Sequence, residues 1–149
     1  MVLSPLARLV ILSLAHNKLT HLDTRMFNQQ AHLQVLLLGK NNIQAIEVGT
    51  FRSNHHLKFL DLSFNLLQEV KFGMFFGLQR LKGLNLSFCN IHRIDLHSLD
   101  AFQELKVLDL RSNRIHRLIP DLFYIQSLNL LILAGNLITA TISDIPYLS

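Results

Sequence analysis

Leucine, isoleucine and asparagine recur along the chain in one fixed figure, L-x-x-L-x-L-x-x-N-x-L. The figure starts at six leucines: Leu9, Leu33, Leu57, Leu81, Leu105 and Leu128. The first four steps are 24 residues long and the fifth is 23. Such self-similarity is typical of solenoids, in which each unit stacks on the next. We therefore predict one domain over 1–149, with coils at 9–32, 33–56, 57–80, 81–104, 105–127 and 128–149 (the last incomplete), and with 1–8 as the tail of a preceding coil.

Each coil begins with a predicted short strand. In the third coil, alternation sends Leu60 and Leu62 to one side and Phe59, Asp61 and Ser63 to the other. One coil cannot bury its leucine side alone, so the coils must stack. Stacked strands ~4.8 Å apart form a parallel sheet, and six of them span about 24 Å. The fold class expected is an α/β repeat, a curved solenoid with this sheet on the concave face and loops with short helical turns on the convex face.

Two further places, counted from the first leucine of each coil, have predicted structural roles. An asparagine at the ninth place can satisfy backbone groups where the chain leaves the strand. Cys89 takes this place in the fourth coil, and we interpret this lone cysteine as a structural residue. At the nineteenth place, four phenylalanines predict an aromatic spine under the convex side: Phe27, Phe51, Phe75 and Phe123. The missing residue of the fifth coil is expected between Phe123 and Leu128.

Composition changes this picture little. The formal net charge of +4 is a mild excess that by itself implies neither nucleic acid nor membrane. Residues 122–143 lack Asp, Glu, Lys and Arg, but their leucines keep the repeat phase, so we expect no membrane insertion. Residues 1–15 resemble a weak signal peptide, yet Leu9, Leu12 and Leu14 are also in phase, and we favour a repeat strand there.

The 24-residue period and the phenylalanine at place nineteen resemble the "typical" class of leucine-rich repeats. The segments LDLSFNLLQEV (Leu60–Val70) and LKVLDLRSNRI (Leu105–Ile115) are similar to coils of Toll-like receptor ectodomains, chaoptin and related cell-surface proteins. The resemblance covers essentially the whole chain. It implies an extracellular or luminal protein-binding module, often part of a single-pass receptor.

The concave face carries the candidate partner site. An apolar column at the third place runs beside a polar column at the fifth and seventh, as in the core of a protein interface. The residues expected to contact a partner are Phe59, Asp61, Ser63, Asn85, Asp109 and Arg111. Phe64 and Phe88, at the eighth place, either extend this patch or pack on their own coils. Asp and Ser at these places are also ordinary in the repeat class.

Two further candidates concern modification and anions. Asn85-Leu86-Ser87 is an N-glycosylation sequon, and a glycan on Asn85 would shield the central patch. A basic cluster is expected on one edge, at His92, Arg93, Arg114, His116 and Arg117. It could bind a sulfated glycan or a nucleic-acid phosphate, or be a solvated edge with scattered charge.

No catalytic set emerges when Ser, His and Asp are placed by register, and we expect neither an enzyme, nor a cofactor, nor a metal site. The function predicted is protein recognition through the concave face, as part of an extracellular receptor or adhesion protein. The alternative is an intracellular scaffold or adaptor without glycosylation.

Overall fold

A computed structural model describes residues 3–139 as a parallel β-solenoid. Its main sheet has six strands, one per coil, in the order β1-β3-β5-β7-β9-β10. These strands are β1 (Ile11–Ser13), β3 (Val35–Leu37), β5 (Phe59–Asp61), β7 (Gly83–Asn85), β9 (Val107–Asp109) and β10 (Leu130–Ile132). Every pair is parallel and in the register that the repeat predicts, for example Leu36 beside Leu60 and Leu60 beside Leu84. The predicted solenoid is confirmed.

The leucines of the figure form the core. Those of the second, third and fourth coils have between 0% and 1% of their surface exposed, as at Leu36, Leu60 and Leu84. Leu12 and Leu131, at the same place in the first and last coils, are only partly buried. Burial therefore depends on having a coil on both sides, as nearest-neighbour stacking requires.

The convex side consists of turns with short additions. Two-residue strands pair there as β2 (His21–Leu22) with β4 (Ala45–Ile46), and as β6 (Glu69–Val70) with β8 (Arg93–Ile94). These small sheets have no counterpart among the sequence predictions. The helical turns that were expected occur as 3-10 turns at Ser4–Leu6 and Pro120–Phe123. Between residues 3 and 139 there is no α-helix.

The ninth-place asparagines form the predicted ladder. Asn65 Nδ2 donates to the carbonyl oxygens of Leu38 (3.1 Å) and Leu62 (2.9 Å), which lie on two successive coils. Its Oδ1 accepts from Ile43 N–H at 2.9 Å. Asn41, Asn113 and Asn136 repeat this arrangement. Each side chain thus joins its own coil to the one before it.

Cys89 continues the ladder with fewer bonds. Its thiol donates to Leu62 O at 3.1 Å, as an asparagine amide would. It brings no carboxamide oxygen to Leu67 N–H, the group equivalent to Ile43 N–H in the coil before. Burial raises the pKa of the Cys89 thiol to about 12. The structural interpretation of this cysteine agrees with its complete burial.

The aromatic spine needs one correction. Phe27, Phe51 and Phe75 are fully buried, and the rings of the first two stack at 6.2 Å. Phe123, predicted to continue the spine, is 42% exposed, and Leu122 is buried in its stead. The fifth coil has therefore lost its residue before Leu122, not after Phe123, and the turn at Pro120–Phe123 takes up the difference.

Residues 122–139 belong to the solenoid and contain β10. Among the described residues, no helix is long and apolar enough to cross a membrane. Residues 140–143 of the uncharged segment, and the end of the sixth coil up to 149, lie outside the described residues.

Candidate partner-binding face

The six candidate contact residues lie on coils three to five, but they are not equally accessible. Phe59 is 38% exposed, and the Arg111 side chain is 47% exposed. Asp61 and Asn85 are half-buried. Ser63 and Asp109 are both buried at 8% exposure, so each offers little surface to a partner. The repeat pattern predicts on which side of the sheet these side chains lie, but it does not predict how deeply each one is buried.

The fifth-place side chains have a local role. Asp61 Oδ1 accepts Ser63 N–H at 2.9 Å, and Asn85 Oδ1 accepts Ser87 N–H at 3.0 Å. Short polar side chains bond a backbone N–H two residues ahead in this way at turns. These groups therefore stabilise the end of the strand, and truncating them perturbs the chain as well as any contact.

Arg111 is held by a fork-shaped ion pair. Its Nη2 lies 2.7 Å and its Nε 2.9 Å from Asp109 Oδ2. The hydrogen bonds to Asp109 raise the pKa of the Arg111 guanidinium. Asp109 also accepts Arg111 N–H at 3.0 Å, so the side chain is fixed at both ends. A pre-ordered arginine loses less conformational entropy on binding.

Phe59 lies across a glycine of the next strand. A Cβ built on Gly83 would meet Phe59 Cδ2 at 2.8 Å, which is too close for a real contact. The absent side chain lets the ring rest on the sheet. Phe59 therefore presents a supported apolar surface rather than a freely moving one.

The eighth place forms an aromatic rim beside this patch. The rings of Phe64 and Phe88 stack with centroids 4.4 Å apart and planes within 5°, while 45% and 43% of each residue is exposed. Lys40 Nζ lies 5.4 Å from the Phe64 ring centroid. The sequence left open whether Phe64 and Phe88 extend the concave patch or pack on their own coils. The structure favours an extension of the patch, because both rings are exposed and stack on each other.

Backbone geometry explains why this rim is regular. The eighth-place residue has positive φ in all six coils, from 54° at Phe64 to 71° at Gly135. A left-handed conformation costs a non-glycine residue roughly 1–2 kcal/mol. Because the turn imposes it on every coil, side chains at this place leave the sheet in the same direction. The stacked pair is thus a consequence of the repeat.

The sequon on β7 is sterically crowded. Asn85 Oδ1 also accepts the Ser87 hydroxyl at 2.7 Å, and Ser87 is 4% exposed. Asn85 lies beside Asp61 and Asp109, in the strands on its two sides. A glycan there would occupy the same surface as a protein partner, so the two predictions made for Asn85 exclude each other.

The predicted basic cluster lies where the chain runs from the concave strands toward the convex side, and its member Arg93 is in β8. All five members are exposed: His92, Arg93, Arg114, His116 and Arg117. Arg93 Nε bonds Asp95 Oδ1 at 2.9 Å, and Arg93 also lies beside Glu69 in the small sheet. Its charge is largely compensated, which leaves Arg114 and Arg117 as the main cations of this cluster.

A group of cation-ligand type went unrecognised in the sequence. His97, Asp100 and Asp121 bring one ligand atom each within 4.8 Å of the others. His97 Nδ1 bonds Asp100 Oδ2 at 2.9 Å, and His97 N–H donates to Asp121. The three come from two successive coils, so only the stacking register could have revealed them. Two of the side chains are exposed, and they satisfy one another.

Comparison with known proteins decides the family. The family model described as Leucine rich repeat matches residues 7–67, 31–91 and 55–115. The chain belongs to the leucine-rich repeat family. Such repeats form non-enzymatic recognition modules that bind proteins, and this coarse part of the functional prediction is thereby supported.

A solved structure extends the likeness to one receptor. In the crystal structure of a TLR13–ssRNA13 complex, the matching chain superposes with a TM-score of 0.80 at 31% identity. The match covers 89% of this leucine-rich repeat chain and 23% of the other chain. The chain therefore spans about a quarter of that Toll-like receptor's length. A comparison with curated proteins finds no significant match.

Proposed function

We propose that this leucine-rich repeat segment binds a protein partner through the concave face of coils three to five, as part of an extracellular receptor or adhesion protein. The observation that carries the proposal is the exposed, stacked pair of Phe64 and Phe88. Beside it lie Phe59 on its glycine support and the ion-paired Arg111.

The energetic argument concerns anchors. Aromatic and arginine side chains dominate the binding energy of protein interfaces, at about 2 kcal/mol or more each when truncated. Rings already held by stacking lose little freedom when a partner covers them. The half-buried Asp61 and Asn85 add directional polar groups around the aromatic surface. This combination is typical of an interface core.

The extracellular part of the proposal rests on the likeness to a Toll-like receptor chain. The alternative is an intracellular scaffold that uses the same concave face. The location of the endogenous protein separates the two, because only the extracellular form would be detected at the surface of intact cells.

The binding face is tested with a pair of matched double variants. Phe64→Ser with Phe88→Ser removes the rim, and Ser112 shows that serine is accommodated at this place with the same positive φ. The control is Phe72→Thr with Phe76→Asn, which removes an exposed edge-to-face pair from the convex side. Its new residues are those of the first coil, Thr24 and Asn28.

The measurement is quantitative cross-linking capture of cell-surface and secreted proteins by each variant. We expect a set of proteins that is captured by the wild type and the convex control but lost by the rim variant. Loss with the convex variant alone would place recognition on the other face and contradict the proposal. Equal capture by all three would contradict it as well.

Whether Asn85 stays free of a glycan is tested by expressing the chain behind a secretion signal in animal cells. A mobility shift on glycosidase treatment, abolished by Asn85→Gln, would show that Asn85 carries a glycan, and this would exclude the central strands as the partner site. We expect no shift, because the concave face is proposed to stay uncovered. Detection of the endogenous protein at the intact cell surface tests the location itself.

A further inference from the structure

Lysine recurs at the second place of three successive coils. Lys58, Lys82 and Lys106 each precede a strand of the main sheet, and all three side chains are exposed. Their backbones are stacked directly: Lys82 N–H donates to Lys58 O, and Lys106 N–H donates to Lys82 O, both at 2.8 Å. Adjacent strands are ~4.8 Å apart, so the three lysines form a row along the solenoid. With the exposed Arg80, they define what we call the lysine edge.

The lysine edge is not compensated by acid. In the part of the chain that the structure describes, its four members take part in no ion pair. The other edge differs, since Arg93 there pairs with Asp95. Glu104 is the one carboxylate at the places directly before these strands, and it stands at the repeat place of Arg80, one coil on. The uncompensated charge of this edge therefore belongs to the three lysines. Like charges held in a row repel one another, so a bound polyanion would relieve a repulsion that the fold itself imposes.

The lysine edge continues into an open hollow toward the first coil. This hollow has a volume of about 430 Å³ and is lined by Arg8, Val10, His32, Gln34 and His56. The rings of His32 and His56 stack at 6.3 Å. By register, the row and the hollow follow one another along the same side of the strands, and Arg8 is the cation that the hollow adds.

We propose that the lysine edge binds a linear sulfated polysaccharide. Several cations in line match a polymer that carries closely spaced sulfates along its length. A single-stranded nucleic acid would need stacking surfaces between the cations. Beside the three lysines themselves, at the third place, stand Phe59, Gly83 and Val107, and the Phe59 ring lies over the glycine. The other rings along this side, His32 and His56, lie in the hollow and stack on each other, so they do not alternate with the lysines. Recognition here is therefore by charge and spacing, and it is separate from the aromatic rim.

The test compares two triple variants that remove equal charge from opposite edges. One is Lys58→Gln, Lys82→Gln and Lys106→Gln. The other is Arg93→Gln, Arg114→Gln and Arg117→Gln, in the basic cluster predicted from the sequence. The probes are a heparin oligosaccharide of defined length, its desulfated form, and a single-stranded oligonucleotide of similar charge. Thermal unfolding of each variant verifies that the fold is retained.

We expect the wild type to bind heparin and not its desulfated form. The lysine variant should lose about tenfold or more in affinity. When log affinity is plotted against log salt concentration, the slope should become shallower by about one for each lysine contact that is lost. The arginine variant should change little. Equal losses in both variants would show that only net charge matters and would overturn the proposal.

Two other results would also overturn it. A loss confined to the arginine variant would move the anion site to the opposite edge. Tighter binding of the oligonucleotide, weakened by Phe59→Ala, would favour nucleic acid over polysaccharide. Apart from the Phe59→Ala result, which also concerns the concave patch, these outcomes do not involve the aromatic rim of Phe64 and Phe88. Loss of heparin binding with protein capture retained, or the reverse, therefore separates this proposal from the proposed function.

Discussion

At the scale of single residues, the ladder asparagines carry measurable stability. Asn65→Ala removes an acceptor from Ile43 N–H and a donor from Leu38 O and Leu62 O. Buried backbone groups left without partners cost roughly 1–3 kcal/mol, and we expect a loss of that size in urea unfolding. Asn42→Ala is the control, because Asn42 is exposed. A loss below a few tenths of a kcal/mol would contradict the ladder.

Cys89→Asn tests the same ladder in the opposite direction. An asparagine brings back an oxygen that can accept Leu67 N–H, and it keeps a donor for Leu62 O. We expect the free energy of unfolding to stay equal or rise. Cys89→Ala, which removes the donor without adding an acceptor, should destabilise. If the asparagine variant fails to fold, the register of the fourth coil is wrong.

At this scale, the sequence predicts backbone-directed roles well and accessibility poorly. Asn65 and Cys89 act on backbone groups whose positions follow from the repeat alone. Ser63 could not be recognised as buried, because its exposure depends on Asp61 and on Gly39 in the preceding coil. Neighbouring coils decide such details, and spacing within one coil does not contain them.

At the scale of the elements, the aromatic spine separates two adjacent phenylalanines. Phe75 is fully buried and Phe76 is 39% exposed. Phe75→Ala should cost about 3–5 kcal/mol through the cavity that it leaves, and Phe76→Ala much less. Chemical denaturation of both variants measures the difference. Equal losses would refute this assignment of the convex side.

Gly83→Ala examines how one strand supports its neighbour. The new Cβ would meet the Phe59 ring, whereas the Gly83 backbone lies outside the left-handed region and tolerates alanine. We expect the ring to be displaced with a stability change under ~1.5 kcal/mol, because a side chain 38% exposed can move outward. Aromatic NMR shifts of Phe59 report the displacement. Unchanged shifts would show that the ring does not rest on the glycine.

On the convex side, the repeat period alone does not predict which residue of the fifth coil is buried. The strands of the main sheet fall where the leucine figure puts them. The sequence does not locate the single-residue deletion of the fifth coil, because Leu122 and Phe123 are both apolar and either could occupy the core site. The turn geometry after Pro120 selects Leu122.

At the scale of the whole molecule, stability should be graded along the solenoid. Coils two to four bury their leucines completely, while those of the first and last coils are partly exposed. Amide hydrogen exchange should therefore be slowest between Leu60 and Leu86 and fastest in β1 and β10. Uniform protection would contradict nearest-neighbour stacking and would indicate end-to-end association.

The two proposed surfaces differ in how far the sequence could reveal them. The concave patch follows from register and was predicted, although Phe64 and Phe88 could have packed inward. The lysine edge is equally regular in sequence, but its significance depends on ion pairing. Spacing shows where a cation lies and not whether a carboxylate neutralises it, as Asp95 does for Arg93.

The buried thiol of Cys89 makes the opening of the fourth coil measurable. With a pKa of about 12 and no exposed surface, Cys89 is almost entirely protonated and shielded at neutral pH, so an alkylating reagent can reach it only when that coil opens. The rate at which Cys89 is alkylated then reports how often the fourth coil opens. A ligand bound across coils three to five would lower this rate by the factor with which it favours the closed state.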